Sequence, residues 1–149
     1  NYADDNGFLG EVLFEGSLKL HLPPSVLDAA KELALDLPDE AKMLRKERMH
    51  ITLIHQNILK PNRESIKKLF RQGKFPNFSK EIKLEDKIIE ATDDEQGRKS
   101  WRINARNQED LQDYVNSVME MLGESPNPED RTFHVTIANL TGKSRDSVP

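Results

Sequence analysis

The sequence predicts an α+β domain built mainly on antiparallel strands. Two of its strand-like runs, Glu81 to Ala91 and Ser100 to Arg106, follow one another across a short connection, and the order of strands and helices argues for a mainly antiparallel sheet. The same tetrapeptide, His followed by a β-branched aliphatic, Thr and an aliphatic, occurs on one strand in each half. No linker or low-complexity stretch divides the 149 residues, so residues 1–149 are expected to form a single domain.

The elements follow in order. Leu18, Leu20 and Leu22 alternate with Lys19 and His21, so Glu11 to Leu22 reads as a strand that Pro23-Pro24 ends. Val26, Ala30, Leu33 and Leu37 recur at helical spacing, which predicts an amphipathic helix over Ser25 to Leu37. A strand is expected from Met49 to Asn57. The next helix runs from Arg63 to Gln72, with Asn62 as cap and Gly73 as stop. Two strands, Glu81 to Ala91 and Ser100 to Arg106, flank the turn-rich Thr92–Arg98 as an antiparallel hairpin. Leu111, Val115, Val118 and Leu122 mark a third helix, with Asn107 as its cap and Gly123 at its end. Thr132 to Leu140 is the last strand, and a polar tail follows.

Charge narrows the function classes. The counts of 22 Lys+Arg against 26 Asp+Glu leave a net charge of −4, so no broad basic face is available to hold a long duplex by counterion release. A nucleic-acid ligand is therefore expected to be short or gripped locally. With no cysteine, disulfides, zinc ribbons and thiol nucleophiles are excluded. No apolar run reaches membrane-spanning length and the first residues lack signal-peptide character, so a cytoplasmic protein without membrane attachment is expected, with a monomer as the default. Because the chain opens on Asn1 and closes on Pro149, both ends are expected to be trimmed or disordered.

The paired motifs, His50-Ile51-Thr52-Leu53 and His134-Val135-Thr136-Ile137, carry the chemistry. In a strand, alternate side chains share a face, so His50 and Thr52 stand together while Ile51 and Leu53 enter the core. His134 and Thr136 repeat the arrangement against Val135 and Ile137. Cleavage of a phosphodiester requires a proton to leave the attacking oxygen and another to reach the departing one. Two imidazoles, with an unperturbed pKa of about 6.5, supply base and acid near neutrality. Two hydroxyls supply hydrogen bonds to the charged phosphate oxygens. No metal or other cofactor is then required, and the spacing of the four histidines offers no zinc site. Which histidine is acid and which is base the sequence leaves open.

With its two motifs on strands in opposite halves, the chain resembles the 2H phosphoesterase superfamily, the LigT-like group that includes the 2′,5′ RNA ligase-like proteins and cyclic phosphodiesterases. The resemblance implies a bilobal, pseudo-twofold fold in which two mainly antiparallel sheets flank a central cleft, with helices outside and one motif from each lobe. It implies His50 and His134 as catalytic residues and Thr52 and Thr136 as phosphate ligands. Members act on RNA ends, on oligoadenylates and, in phage proteins that defeat bacterial defences, on cyclic oligonucleotide signals. The expected activity is metal-independent cleavage of a nucleotide phosphodiester involving a ribose 2′-oxygen. The competing expectations are a module that sequesters a nucleotide or short RNA in the same cleft and, ranked lower, an RNA ligase.

Further residues are weaker candidates. Arg48 shares parity with His50, Lys143 and Arg131 offer cations near the second motif, and Phe14, Phe133, Tyr2 and Trp101 are the aromatics a base could stack on. His55 lies five residues beyond His50, on the opposite face unless a bulge intervenes, and is expected to be structural. His21 is expected to be a solvated surface histidine.

Overall fold

The computed structural model describes residues 10–125 and 132–148. Two strands, β1 (Glu11–Glu15) and β2 (Ser17–His21), form the first hairpin. The sequence reads this stretch as one strand; Gly16, at φ +85°, breaks it with a turn that only glycine adopts without strain. Helix α1 (Pro24–Leu33) ends in a short 3-10 turn, Ala34–Asp36. The short β3 (Lys42–Met43) leads through Leu44–Met49 to the first motif strand, β4 (His50–Ile54). Helices α2 (Gln56–Leu59) and α3 (Arg63–Arg71) follow. The second hairpin is β5 (Ile89–Asp93) with β6 (Arg98–Asn104), and α4 (Gln108–Met121) precedes the second motif strand, β7 (His134–Asn139).

A strand was expected from Glu81, but regular pairing begins only at Ile89, with Leu84 making an isolated bridge to Ala105. The two asparagines expected to cap helices occupy the cap positions, but their side chains do not bond to the helix. Asn62 donates to Glu124 at 3.0 Å, and Asn107 ties down the preceding segment through the Lys83 amide and the Glu81 carbonyl.

The strands form one seven-stranded antiparallel sheet in the order β1-β2-β4-β7-β6-β5, with β3 also paired to β7. This corrects the expectation of two sheets: the two motif strands pair with each other, at Ile51 opposite Val135, and join the hairpins into one sheet. Ile51 and Val135 are fully buried and belong to one core cluster with Leu111, Val115 and Val118 of α4 and Ile66 of α3. Apolar residues at helical spacing thus cover one face of the sheet, and the polar residues of the motifs take the other.

Each motif strand carries a register irregularity at the same place. Between β2 and β4 the pairing skips Leu53, and between β6 and β7 it skips Ile137, the residue after each motif threonine. An extra residue on one strand bends it and sharpens its twist. The consequence is visible in burial: Leu53 and Ile54 are both buried, as are Ile137 and Ala138.

Ile51 is the point at which the two halves meet. Replacing Ile51 with Ala should destabilise the protein by about 2–5 kcal/mol, whereas Leu35→Ala, at a side chain 84% exposed, should stay within about 0.5 kcal/mol. Chemical denaturation of the two variants checks the contrast.

Candidate functional site

A cleft of about 290 Å³ on the polar face is lined by His50, Thr52, His134 and Thr136 together. Antiparallel pairing explains how. With Ile51 opposite Val135, His50 falls on the Thr136 side of that pair and Thr52 on the His134 side, so the two motifs are related by a local twofold axis. The outer strands continue the pattern. His21 lies opposite His50 and Asn104 opposite His134, while Lys19 lies opposite Thr52 and Arg102 opposite Thr136. Cross-strand partners share a face, so each histidine has a polar neighbour and each threonine a cationic one.

Both imidazoles are oriented by their own strand. Nδ1 of His50 lies 2.8 Å from the Arg48 carbonyl, and Nδ1 of His134 lies 3.0 Å from the Thr132 carbonyl. A carbonyl only accepts, so Nδ1 carries the proton and, in the neutral ring, Nε2 holds the lone pair. Neither threonine hydroxyl makes a hydrogen bond to another described residue, which leaves both free to donate.

The protonation of His50 is set from outside its motif. Burial, with the ammonium of Lys19 beside it, pushes His50 down from 6.5 to about 4, against the opposing pull of the Arg48 carbonyl. His50 is therefore neutral at physiological pH. The ring of His21 stacks on it at 5.9 Å between centroids, and Nε2 of His21 is 3.0 Å from Glu15. His21 is thus half-buried against a motif histidine rather than a solvated surface residue.

Other residues depart from expectation. His55 lines the cleft, because the irregularity at Leu53 turns the end of β4; it also accepts the Asn57 amide at 3.3 Å. Arg48 lines the cleft as its parity suggests, and Lys143 lines an adjoining cavity. Phe133 is 4% exposed and belongs to the core, since it shares parity with Val135 and Ile137, so the expectation that it contacts a ligand is corrected. Trp101 is likewise buried, and Phe14 packs on Phe70 away from the cleft. Tyr2 and Arg131 lie outside the described residues.

Comparison of the chain with models of known families, with curated proteins and with solved structures finds no match. The functional reading therefore rests on the residues of the cleft and their geometry. Among the described residues, no three histidines or carboxylates converge as a metal-binding group, and no helix is long and apolar enough to cross a membrane.

Two contributors carry no signal in the sequence pattern. Arg98, the first residue of β6, lines the cleft; it is held by Asp93 at 2.5 Å, and its Nε is buried with no partner among the described residues. That guanidinium holds the Asp93 carboxyl below the usual carboxylate range. The tail lines the cleft through Ser144, Arg145, Ser147 and Val148, pinned where Arg102 donates to the Val148 carbonyl and the Val148 amide donates to Ser100. Only motif residues, not tail contacts, show in a linear pattern.

Titration of His50 followed by NMR should give a midpoint near 4, and Lys19→Met should raise it by removing a repelling charge. Because the folded pKa lies below the unfolded value, the unfolded chain takes up this proton first. Stability contributed at this position should be complete above pH 6.5 and decline as the pH falls towards 4.

Proposed function

We propose that the chain is a 2H-type, metal-independent phosphoesterase acting on a nucleotide phosphodiester that involves a ribose 2′-oxygen. The observation that carries this reading is the convergence of two histidines and two unbonded threonine hydroxyls on one cleft, related by the local twofold of the β4–β7 pair. The bilobal character of that fold class is part of the proposal: each half supplies a hairpin, a helix and a motif strand, joined at Ile51 and Val135.

The phosphate sits between the imidazoles with its non-bridging oxygens on Thr52 and Thr136. Hydrogen bonds that strengthen as charge builds on those oxygens lower the barrier. His50, neutral through its burial and the nearby Lys19, is suited to take the proton from the attacking oxygen. His134 takes the complementary role and protonates the departing ribose oxygen through Nε2. For a 2′,3′-cyclic phosphate the nucleophile is water; for a linear 2′,5′ or 3′,5′ linkage it is the neighbouring ribose hydroxyl, and a cyclic phosphate is the product. The cations Arg48, Arg98 and Arg145 around the cleft balance the dianionic transition state.

The test is turnover in EDTA of 2′,3′-cyclic nucleotides, 2′,5′-linked oligoadenylates and cyclic di- and trinucleotides. His50→Ala and His134→Ala should each lower kcat by about 10²–10⁴-fold, and Thr52→Val or Thr136→Val by up to about 10²–10³-fold. The acid limb of the kcat/KM profile should fall near pH 4 rather than 6.5, because it reports the base in the free enzyme. Binding without turnover by the native protein would replace this reading with a sequestering module.

A further inference from the structure

Beside the histidine cleft lies a second, larger cavity of about 630 Å³, and the two share Arg48, Ser144 and Arg145 as a common wall. Arg45 and Lys143 complete a set of four cations, and no carboxylate lines the cavity. Such a concentration runs against the net charge of −4.

None of the four cations forms an ion pair with a described carboxylate, although Lys99 bridges Glu40 and Glu90, Arg98 holds Asp93, and Arg106 meets Glu85. The acids adjacent in sequence, Glu47 and Asp146, do not line the cavity, and Asp146 accepts from the Thr141 hydroxyl at 2.7 Å. Like charges held together without a counter-charge repel, and an anion between them relieves that repulsion.

Two constrained segments hold the cluster. β3 and β4 occupy successive lengths of the same edge of β7, and Arg45–Met49 is an excursion from that ladder that carries Arg45 and Arg48 over the sheet. Across from it, the loop 141–147 carries Lys143 and Arg145 and is fastened to buried Asn139. The Asn139 amide donates to the Lys143 carbonyl at 2.7 Å and to Ser147 at 3.0 Å, and its oxygen accepts from the Thr141 and Gly142 amides. The lining has no aromatic and no large apolar side chain, so it suits a phosphate better than a base.

We infer that this cavity binds a second phosphate, so that the substrate cleaved between His50 and His134 is an oligonucleotide with at least two phosphates rather than a mononucleotide. The inference rests on the phosphoesterase reading of the adjoining cleft. Arg48 and Arg145, on the shared wall, lie between the scissile phosphate and its neighbour. Arg45 and Lys143 meet the neighbour alone.

Two substrates separate these roles: adenosine 2′,3′-cyclic phosphate, with one phosphate, and an adenylyl-adenosine dinucleotide ending in a 2′,3′-cyclic phosphate, with two. In the Arg45→Ala/Lys143→Ala variant, KM for the dinucleotide should rise about tenfold relative to KM for the mononucleotide. The native preference for the dinucleotide should weaken with added salt, and Arg45→Lys/Lys143→Arg should restore it. Equal changes in KM for both substrates, or none, would overturn the inference and leave the phosphoesterase reading standing. Calorimetric titration of the same pair gives the converse: binding of the dinucleotide that depends on Arg45 and Lys143, without turnover of either compound, would uphold the second phosphate site and remove the phosphoesterase reading. No binding and no turnover of the dinucleotide would remove both.

Discussion

The pairing of β4 with β7 at Ile51 and Val135 is the constraint on which the rest of the molecule depends. Burial of these two side chains ties the halves of the sheet to a common core, and strand alternation then sends the preceding histidine and following threonine of each motif to the other face. A slip of one residue in this register would bury the polar set and expose the apolar one. The packing that stabilises the fold and the alignment of the chemical groups are therefore the same requirement. The irregularities at Leu53 and Ile137 fit that account, since each follows a motif threonine and bends its strand after the site has been formed.

The acid–base chemistry proposed for this cleft requires two like side chains to behave differently, and a symmetric backbone does not provide that. The difference comes from outside the motifs. Burial and Lys19 act on His50, while the tail is fastened to β6 through Ser100 and Arg102. The fold thus supplies two equivalent imidazole mounts, each with Nδ1 on a carbonyl two residues back, and the flanking segments give them unequal surroundings.

Much of this was legible in the sequence for a definite reason. His50, Thr52, His134 and Thr136 are recognisable because their chemistry repeats at a spacing matched to the strand period, and the apolar residues between them mark the core face. The helix at Gln108–Met121 was legible from its apolar spacing, and the one at Arg63–Arg71 from the Asn62 and Gly73 that bound it. The single sheet was not, because strand partners are set by long-range packing that no local pattern records. Gly16 hid a hairpin turn inside a run that alternates well on either side. His55 depended on an irregularity in register, Arg98 opens β6 within a stretch that reads only as turn, and Ser144 and Arg145 reach the cleft from a tail whose composition reads only as polar loop. Phe133 shows the opposite case, for its parity with Val135 already assigned it to the core.

Asn139 links stability to the site more directly than its place at the end of β7 suggests. A fully buried amide with unmet hydrogen bonds would cost about 1–3 kcal/mol, yet Asn139 is fully buried and uses both its oxygen and its nitrogen on the loop 141–147. A hydrophobic residue there would pack well but would leave the Lys143 carbonyl and the Thr141 and Gly142 amides without these partners. The asparagine therefore specifies one loop conformation, and that conformation sets Lys143 and Arg145 opposite Arg45 and Arg48. The cationic wall of the cleft is in this sense fixed from inside the core, where a polar side chain is tolerated because every bond it makes shapes the surface above it.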